Sequence, residues 1–285
     1  MTTNTFKTAI LLGLLSALLI LGGRAIMGPN GLYLGLVLAG IMNFGSYFFS
    51  DKIALMSYSA RPVTPAENAD VYARVAPIVS GLCQRMGLPM PKLWLIPVES
   101  PNAFATGRNP QHASVAFTAG ILRLMDDREL EGVVAHELGH VLHRDILISS
   151  VAAMLAGAIT MLASMARWGM IFGGFSRDEN DRGGGLADLF MILLAPLAAM
   201  LIQMAISRSR EYDADAASAK YTGTPYELIS GLRKLDTWSK RIPMDASPAT
   251  AHLFIIKPFT GRSLMNLFST HPSTADRIAR LEAMR

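Results

Sequence analysis

Residues 136 to 140 spell H-E-L-G-H, in which two histidines stand four positions apart with a glutamate beside the first. On an α-helix with about 3.6 residues per turn and a rise of about 1.5 Å per residue, His136 and His140 project from one face. Two imidazoles in that arrangement can share one zinc ion, and Glu137 can reach a water held by the metal. The pattern predicts a zinc site, and the alternative is a helix face with two structural histidines.

A catalytic zinc takes three protein ligands and keeps one position open for water. His143 lies on the same helix face, seven residues after His136, but the helix carries it too far along its axis to join a tetrahedral site easily. The longer pattern H-E-x-x-H-x-x-G-x-x-H is absent, because positions 143 and 146 hold His and Ile. We therefore expect the third ligand to come from farther along the chain.

Glu211 is the best candidate for that third ligand. It lies in the charged sequence R-E-Y-D-A-D at residues 210–215, 75 residues after His136. If this region is helical, Asp215 sits one turn after Glu211 and can accept a hydrogen bond from the free ring N–H of a zinc-bound histidine. The spacing alone leaves open the alternative of a solvated helix end with ordinary surface charges.

The composition indicates that these residues belong to a membrane protein. Of the 285 residues, 51% are hydrophobic and 17% are charged, whereas soluble domains have about 25% charged residues. The apolar residues concentrate in four uncharged runs at 8–23, 25–50, 146–166 and 189–207. A transmembrane helix needs about 17–25 such residues, so the last three runs qualify and the first is marginal.

We expect about four transmembrane helices, of which the first two form an uncleaved hairpin joined around Gly28, Pro29 and Asn30. A signal peptide is the alternative for the first run, and buried core helices are the alternative for the last two. Lys and Arg near the ends of the runs number eight on one side and four on the other, which predicts that both termini and both polar segments face the cytoplasm. If the helices are continuous, His140 and Glu211 emerge from paired spans at the same membrane face.

The polar segments predict a mixture of helices and a small sheet. A helix is expected over 67–86, followed by strands at 92–96 and 113–118 with a loop between them. Asp126 and Glu129 fit an N-cap and its capping-box partner at the start of the H-E-x-x-H helix. Further helices are expected to about residue 221, over 225–240, and after the H-P pair at 271–272.

Four motifs together resemble the HtpX family of membrane-embedded zinc metalloproteases, which is related to the CAAX prenyl endopeptidases. They are H-E-L-G-H at 136–140, N-A-F-A-T-G at 102–107, E-Y-D-A-D at 211–215 and H-P at 271–272. The resemblance covers nearly the whole chain. It implies a mainly α membrane protein with a cytoplasmic, gluzincin-like α+β zinc protease domain that contains a small sheet.

The same resemblance implies roles for particular residues. One zinc ion per chain would be held by His136, His140 and Glu211, with Glu137 as the catalytic residue. Asn102 would lie beside the substrate, and His271 would approach the active centre.

These predictions divide the chain into four parts. They are a transmembrane hairpin at 1–50, a catalytic part at 51–145, a second transmembrane helix pair at 146–207 and a second catalytic part at 208–285.

In the expected mechanism, Glu137 takes a proton from the zinc-activated water and delivers it to the leaving amine. His271 or Arg277 could stabilise the oxyanion, although His271 equally fits a packing role at a helix N-terminus. Asn102 could hold the substrate backbone along a strand edge.

The resemblance further implies a zinc endopeptidase of the inner membrane that hydrolyses misfolded or damaged membrane proteins in quality control and the stress response. Its partners would be membrane and cytosolic protein substrates and the lipid bilayer. A net charge of +4 is too small and scattered to indicate nucleic-acid binding. The alternative is a membrane-bound scaffold or chaperone-like binder with a structural zinc. A transporter is disfavoured because no histidine lies within an apolar run.

Overall fold

A computed structural model describes residues 3–148, 151, 208–239, 255 and 272–284. The chain divides into two compact units, one formed by residues 1–47 and 151–205 and the other by residues 48–150 and 206–285. Almost all of the third apolar run, the whole of the fourth and His271 lie outside the described residues.

The first unit contains a helical hairpin. Helix α1 covers Thr3–Ser57 and is interrupted at Gly28, whose φ of 62° and ψ of −144° are not helical. Glycine adopts this conformation without a steric penalty because it has no Cβ. Pro29, which follows, suits the first turn of the second limb because its missing N–H needs no partner there. The turn falls where the sequence predicts it.

The two limbs of the hairpin lie against each other. Asn43 Nδ2 donates a hydrogen bond of 2.8 Å to Ser16 Oγ on the opposite limb. A Cβ added to Gly35 would lie 2.4 Å from the carbonyl oxygen of Leu19, so glycine is needed for this close approach. By length and composition, Phe6–Arg24 and Gly28–Phe49 are both able to cross a membrane.

The second unit contains a four-stranded mixed sheet in the order β1-β2-β4-β3. Strand β2 is parallel to β4, and the other neighbours are antiparallel. The strands are β1 (Arg61–Pro62), β2 (Lys92–Ile96), β3 (Ala103–Gly107) and β4 (Ala113–Thr118). The predicted bounds of β2 and β4 are confirmed.

The expectation of a plain loop between those two strands is wrong, because β3 lies within it. The sequence A-F-A-T-G has few of the β-branched residues that favour strands. It becomes a strand because β4 offers an edge, on which Ala105 pairs with Val115. This pairing is a tertiary contact that the local sequence does not specify.

The remaining elements of the second unit are helices. Helix α2 (Ala69–Met86) is capped by Gly87, whose φ of 67° closes the helix in the left-handed conformation. Asp126 caps α4 through the predicted capping box with Glu129. The helices after α1 are α2 (Ala69–Met86), α3 (Ala119–Leu124), α4 (Asp127–Leu142), α5 (Arg208–Thr222), α6 (Tyr226–Ser239) and α7 (Thr274–Glu282).

Helix α4 lies at the centre of this unit and packs against α2, α5, α6 and β3. Most of its apolar side chains are buried, and those of Leu130, Val133 and Leu138 are completely so. The opposite face of the sheet is covered by the end of α1, where Leu55 packs near Phe104. The sheet is therefore covered on both faces, and α4 packs against it.

The condition of a continuous helix from His140 into the third apolar run is not met. Helix α4 ends at Leu142, and Arg144 adopts a left-handed φ of 57° before the chain becomes helical again at Ile146. The turn buries Asp145 beside His140. A straight helix would carry residue 145 past the ring of His140, so the break gives this carboxylate its position.

Candidate metal centre

The imidazole rings of His136 and His140 converge on one point beside α4. Their Nε2 atoms are 3.3 Å apart, and the ring centroids are 4.8 Å apart in an edge-to-face arrangement. The four-residue separation on a helix places the two side chains on the same face. The pair therefore presents two nitrogen atoms to a common site.

Helix α5 brings Glu211 to the same point. Glu211 Oε2 is 3.7 Å from His136 Nε2, and its Oε1 is 3.7 Å from His140 Nε2. A ligand atom from each of the three residues lies within 4.8 Å of the others. All three side chains are largely withdrawn from solvent.

Gly139, the fourth letter of H-E-L-G-H, explains how α5 comes so close. A Cβ at this position would lie 3.1 Å from the Cα atom of Ala214, which is tighter than ordinary van der Waals contact. The bare glycine lets the two helix backbones approach, and Glu211 lies one turn before Ala214 on α5. The helix contact thus brings a carboxylate to histidines that are 75 and 71 residues earlier in the chain.

Asp215 lies behind His136, as the sequence predicts for a helical continuation. Its Oδ1 is 2.9 Å from His136 Nδ1, and both side chains are 1% exposed. Because an ionised carboxylate only accepts hydrogen bonds, Nδ1 carries the ring proton and Nε2 keeps its lone pair. Burial alone would raise the pKa of Asp215, but the positive charge of Arg277 and the bond to His136 outweigh it and lower that pKa.

Asp145 plays the matching part for His140, and sequence reasoning missed it. Its Oδ2 is 3.1 Å from His140 Nδ1, which leaves His140 Nε2 facing the site. An acidic residue five positions after the second histidine is the only trace of this contact in the sequence. A straight helix would place Asp145 on a different face from His140, so the contact depends on the turn at Arg144.

The two histidines differ in their protonation without metal. Burial, followed by the nearby charge of Arg277, lowers the pKa of His136, so this ring is neutral. Burial also works against a charged His140, but Asp145 and the neighbouring glutamates outweigh it and raise its pKa to about 10. A positive charge is thus favoured between these carboxylates.

Glu137 points toward the edge of the sheet. Its Oε2 accepts a hydrogen bond of 2.9 Å from the backbone N–H of Ala105 in β3. Burial raises the pKa of Glu137 to about 7, although His140 and the Ala105 bond oppose this rise. A carboxylate poised near neutrality can both take and return a proton.

Strand β3 occupies an edge of the sheet. Because Asn102 O accepts a hydrogen bond from Thr118 N, the alternation of an antiparallel pair turns the main-chain groups of Ala103 and Ala105 away from β4. The bond from Ala105 to Glu137 agrees with this alternation. The outward edge of β3 therefore runs beside the candidate metal centre.

Asn102 is 3% exposed and is engaged within the protein. Its backbone N–H donates to Thr118 Oγ1, and its side-chain oxygen accepts a 3.2 Å bond from the backbone N–H of Ile255. Among the described residues, nothing accepts a hydrogen bond from its amide nitrogen. The structure thus places Asn102 at the start of β3, whereas His271 lies outside the described residues.

The donor set fits zinc. Imidazole nitrogen and carboxylate oxygen are the ligands that zinc takes in catalytic sites, and ligands at about 2.0–2.1 Å in a tetrahedral arrangement stand roughly 3.3–3.4 Å apart. The observed separation of the two Nε2 atoms is 3.3 Å. The carboxylates behind both rings complete the support that such a site requires.

This arrangement is suited to peptide hydrolysis. Glu137, whose pKa lies near neutral pH, stands between a cation site and the edge of β3, which can align a peptide. The protein is therefore a zinc metalloprotease by class. More particularly, the chain belongs to peptidase family M48, whose sequence pattern matches residues 65–285.

Close relatives confirm the resemblance to HtpX. The chain is 54% identical over 280 residues to a protease HtpX homolog of Desulforapulum autotrophicum, which covers 98% of this chain and 89% of that protein. It is 52% identical to the homolog of Syntrophobacter fumaroxidans, with 99% of both chains covered. The homolog of Thermococcus kodakarensis is 50% identical over 96% of this chain and 94% of its own length.

A solved structure agrees with the fold. The crystal structure of S. mikatae Ste24p superposes with a TM-score of 0.54 over 98% of this chain and 66% of that chain, at 19% sequence identity. At this level of identity the likeness supports the arrangement of the backbone alone.

Proposed function

We propose that the protein is a membrane-bound endopeptidase in which His136, His140 and Glu211 hold one zinc ion and Glu137 moves the proton. The observation that carries this proposal is the convergence of three ligand atoms within 4.8 Å beside a buried glutamate. When bound, zinc lowers the pKa of water toward neutrality and polarises a carbonyl oxygen. Residues of the chain itself would transfer the proton and bind the substrate.

Glu137 is the proposed general base and acid. Its raised pKa makes it able to take a proton from the attacking water and to return it to the leaving nitrogen. The hydrogen bond from Ala105 keeps its carboxylate beside β3. The proton is thus handled next to the strand edge on which the substrate would lie.

The substrate is proposed to bind as an added strand along β3. The outward main-chain groups of Ala103 and Ala105 can pair with an extended peptide, a mode that recognises backbone and tolerates many side chains. Asn102, at the start of this strand, is proposed to lie beside the substrate. His271 keeps its proposed part as an oxyanion donor near the active centre.

The proposed location is the cytoplasmic membrane, with several spans and with the termini and the active site facing the cytoplasm. The two apolar limbs of α1 support attachment to a membrane, and the distribution of Lys and Arg supports the orientation. Broad backbone recognition at a membrane surface suits the removal of misfolded or damaged membrane proteins. Quality control under stress is therefore the proposed role.

The experiment compares wild-type protein with Glu137→Gln in detergent, using unfolded casein as substrate and metal analysis as a second readout. We expect the cleavage rate to fall at least about a thousandfold, because the proton acceptor is lost, while zinc content stays at one ion per chain. The matched control is Glu131→Gln on the same helix, where the side chain is half-buried and pairs with Arg85. Unchanged cleavage by Glu137→Gln would remove Glu137 as the general base, and absence of cleavage by zinc-loaded wild-type protein would support the zinc-containing scaffold instead.

The third ligand is tested by Glu211→Ala. We expect tight zinc binding to be lost, because two histidines alone leave the site with too few protein ligands. Asp213→Ala, an exposed change on the same helix, should keep its zinc. Retention of tight zinc by Glu211→Ala would remove this residue from the proposed ligand set.

A further inference from the structure

Arg277 is a buried cation on the last helix of the chain. It lies on α7, its side chain is 1% exposed, and it reaches into the region behind the candidate metal centre. Arginine is almost never fully buried unless it is paired. Its contacts therefore indicate what this residue does.

The first set of contacts leads to His136. Arg277 Nε donates to Asp215 Oδ2 at 2.9 Å, and Nη2 donates to Oδ1 at 2.6 Å. A guanidinium that grips both carboxylate oxygens fixes the plane of the carboxylate. Asp215 Oδ1 also meets His136 Nδ1 at 2.9 Å, and Arg277 Nη2 itself lies 3.2 Å from the same nitrogen, so the orientation of the ring depends on both groups.

The second set of contacts leads to the start of β3. Arg277 Nη1 donates a 3.0 Å hydrogen bond to the carbonyl oxygen of Ile255. The N–H of the same residue donates to Asn102 Oδ1 at 3.2 Å. Both main-chain groups of Ile255, which is 4% exposed, are thus held by buried side chains.

These contacts argue against Arg277 as an oxyanion donor. Every nitrogen of the guanidinium faces a partner within the protein, and the side chain is closed to solvent. The planar guanidinium instead contacts the carboxylate of Asp215 behind His136 and the carbonyl of Ile255, whose N–H bonds to Asn102. A lysine has a single nitrogen and cannot reach both.

We propose that Arg277 is a positioning residue that couples the candidate metal centre to the start of the edge strand, through Asp215 on one side and Ile255 on the other. A metal that orders His136 would thereby also order the Ile255 backbone. Loss of the Arg277 guanidinium would make both His136 and the Ile255 backbone more mobile. The proposal rests on the proposed function only where it refers to zinc and to substrate along β3.

The test follows hydrogen exchange in the peptide that contains Ile255, using full-length protein in detergent with and without zinc. In wild-type protein we expect zinc to slow exchange at the Ile255 amide at least about threefold. In metal-free protein we expect this amide to exchange at least about tenfold faster in Arg277→Lys than in wild type. Arg280→Lys is the matched control, since this arginine lies one turn along the same helix face and is exposed.

Two further readouts separate coupling from a general loss of structure. With cobalt in place of zinc, Arg277→Lys should change the visible spectrum and weaken metal binding about tenfold or more, the usual cost of losing support behind a ligand. If the chain cleaves peptides, KM should rise as well as kcat fall. Asn102→Ala should raise Ile255 exchange and KM while leaving the cobalt spectrum near that of wild type.

The outcomes are decisive in both directions. If zinc does not change the exchange rate of the Ile255 amide in wild-type protein, the coupling is overturned, even if Arg277→Lys fails to fold. Wild-type exchange at Ile255 in a folded, metal-free Arg277→Lys protein overturns it as well. Absence of peptide cleavage by wild type counts against the proposed function alone, because exchange and the cobalt spectrum still report on Arg277.

Discussion

At the scale of single residues, each histidine of the site is supported by a carboxylate from a different part of the chain. Asp215 on α5 holds His136, and Asp145 in the turn after α4 holds His140. In both cases the carboxylate accepts from Nδ1, which leaves Nε2 directed at the shared point. The ring orientations are therefore fixed before any metal binds.

We predict that Asp145→Asn weakens zinc binding about 10–100-fold, the usual loss when the partner of a metal-bound histidine is changed. The amide can present its NH₂ group to the ring and thereby favour the wrong tautomer of His140. Competition with a chromophoric chelator measures the affinity. Asp127→Asn, an exposed change in the first turn of α4, is the control, and equal affinity of both variants would contradict the role of Asp145.

Zinc binding should release a proton at pH 7.5. The pKa of His140 is raised to about 10 in the metal-free protein, so its charged form stabilises the fold fully below the ordinary value of about 6.5 and loses this effect as the pH rises through 10. Zinc must displace that proton, and its affinity therefore increases with pH over this range. Calorimetry in buffers of different ionisation enthalpy should give at least about one proton per ion, since the zinc-bound water can release a further one, and no release would refute the prediction.

At the scale of elements, α4 is positioned by glycines that let other backbones approach it. A Cβ on Gly132 would lie 2.7 Å from the backbone nitrogen of Leu228 in α6. Gly139 performs the same function toward α5. The helix that carries the histidines thus has close neighbours on two sides, and its position depends on backbone contact as well as apolar burial.

Gly132→Ala should lower the free energy of unfolding by about 1–3 kcal/mol, the usual cost of forcing a methyl group into a packed interior. The control is Gly81→Ala in α2, where the nearest atom is the flexible end of Arg85 at 4.0 Å. That change should raise stability by roughly 0.5–1 kcal/mol because alanine favours a helix. Thermal unfolding in detergent measures both, and equal midpoints would contradict the packing argument.

The elements also differ in how far their own sequences define them. The capping residues Asp126 and Glu129 mark the start of α4 in the sequence because a cap is a contact between near neighbours. The strand at Ala103–Gly107 has no such local signature, because its pairing partner is β4. The turn at Arg144 escapes prediction for the same reason, since its conformation is fixed by burying Asp145.

At the scale of the whole molecule, the candidate metal centre joins parts of the chain that are far apart in sequence. α4 carries the two histidines, α5 carries Glu211, and α7 carries the arginine behind them. A bound ion would therefore cross-link helices in addition to serving chemistry. The apolar hairpin of α1 is a separate part of the molecule, with its own contacts between limbs.

Removal of metal should accordingly lower the unfolding temperature. An ion present at 100 times its dissociation constant adds about 2.7 kcal/mol to the free energy of unfolding. We predict that a chelator lowers the unfolding midpoint of wild-type protein and of Asp213→Ala, while Glu211→Ala shows little further change. A midpoint that does not respond to chelation in wild type would contradict a cross-linking ion.

The sequence by itself determined the chemistry of the site and the local elements that carry it. H-E-L-G-H fixes two histidines and a glutamate on one helix because helical spacing is a local property, and apolar runs define the hairpin by length alone. Only the tertiary structure decided which distant groups stand behind those residues. Asp145, Arg277 and the edge strand β3 take their roles from a turn, a buried ion pair and a strand pairing, all of which depend on contacts that local spacing cannot encode.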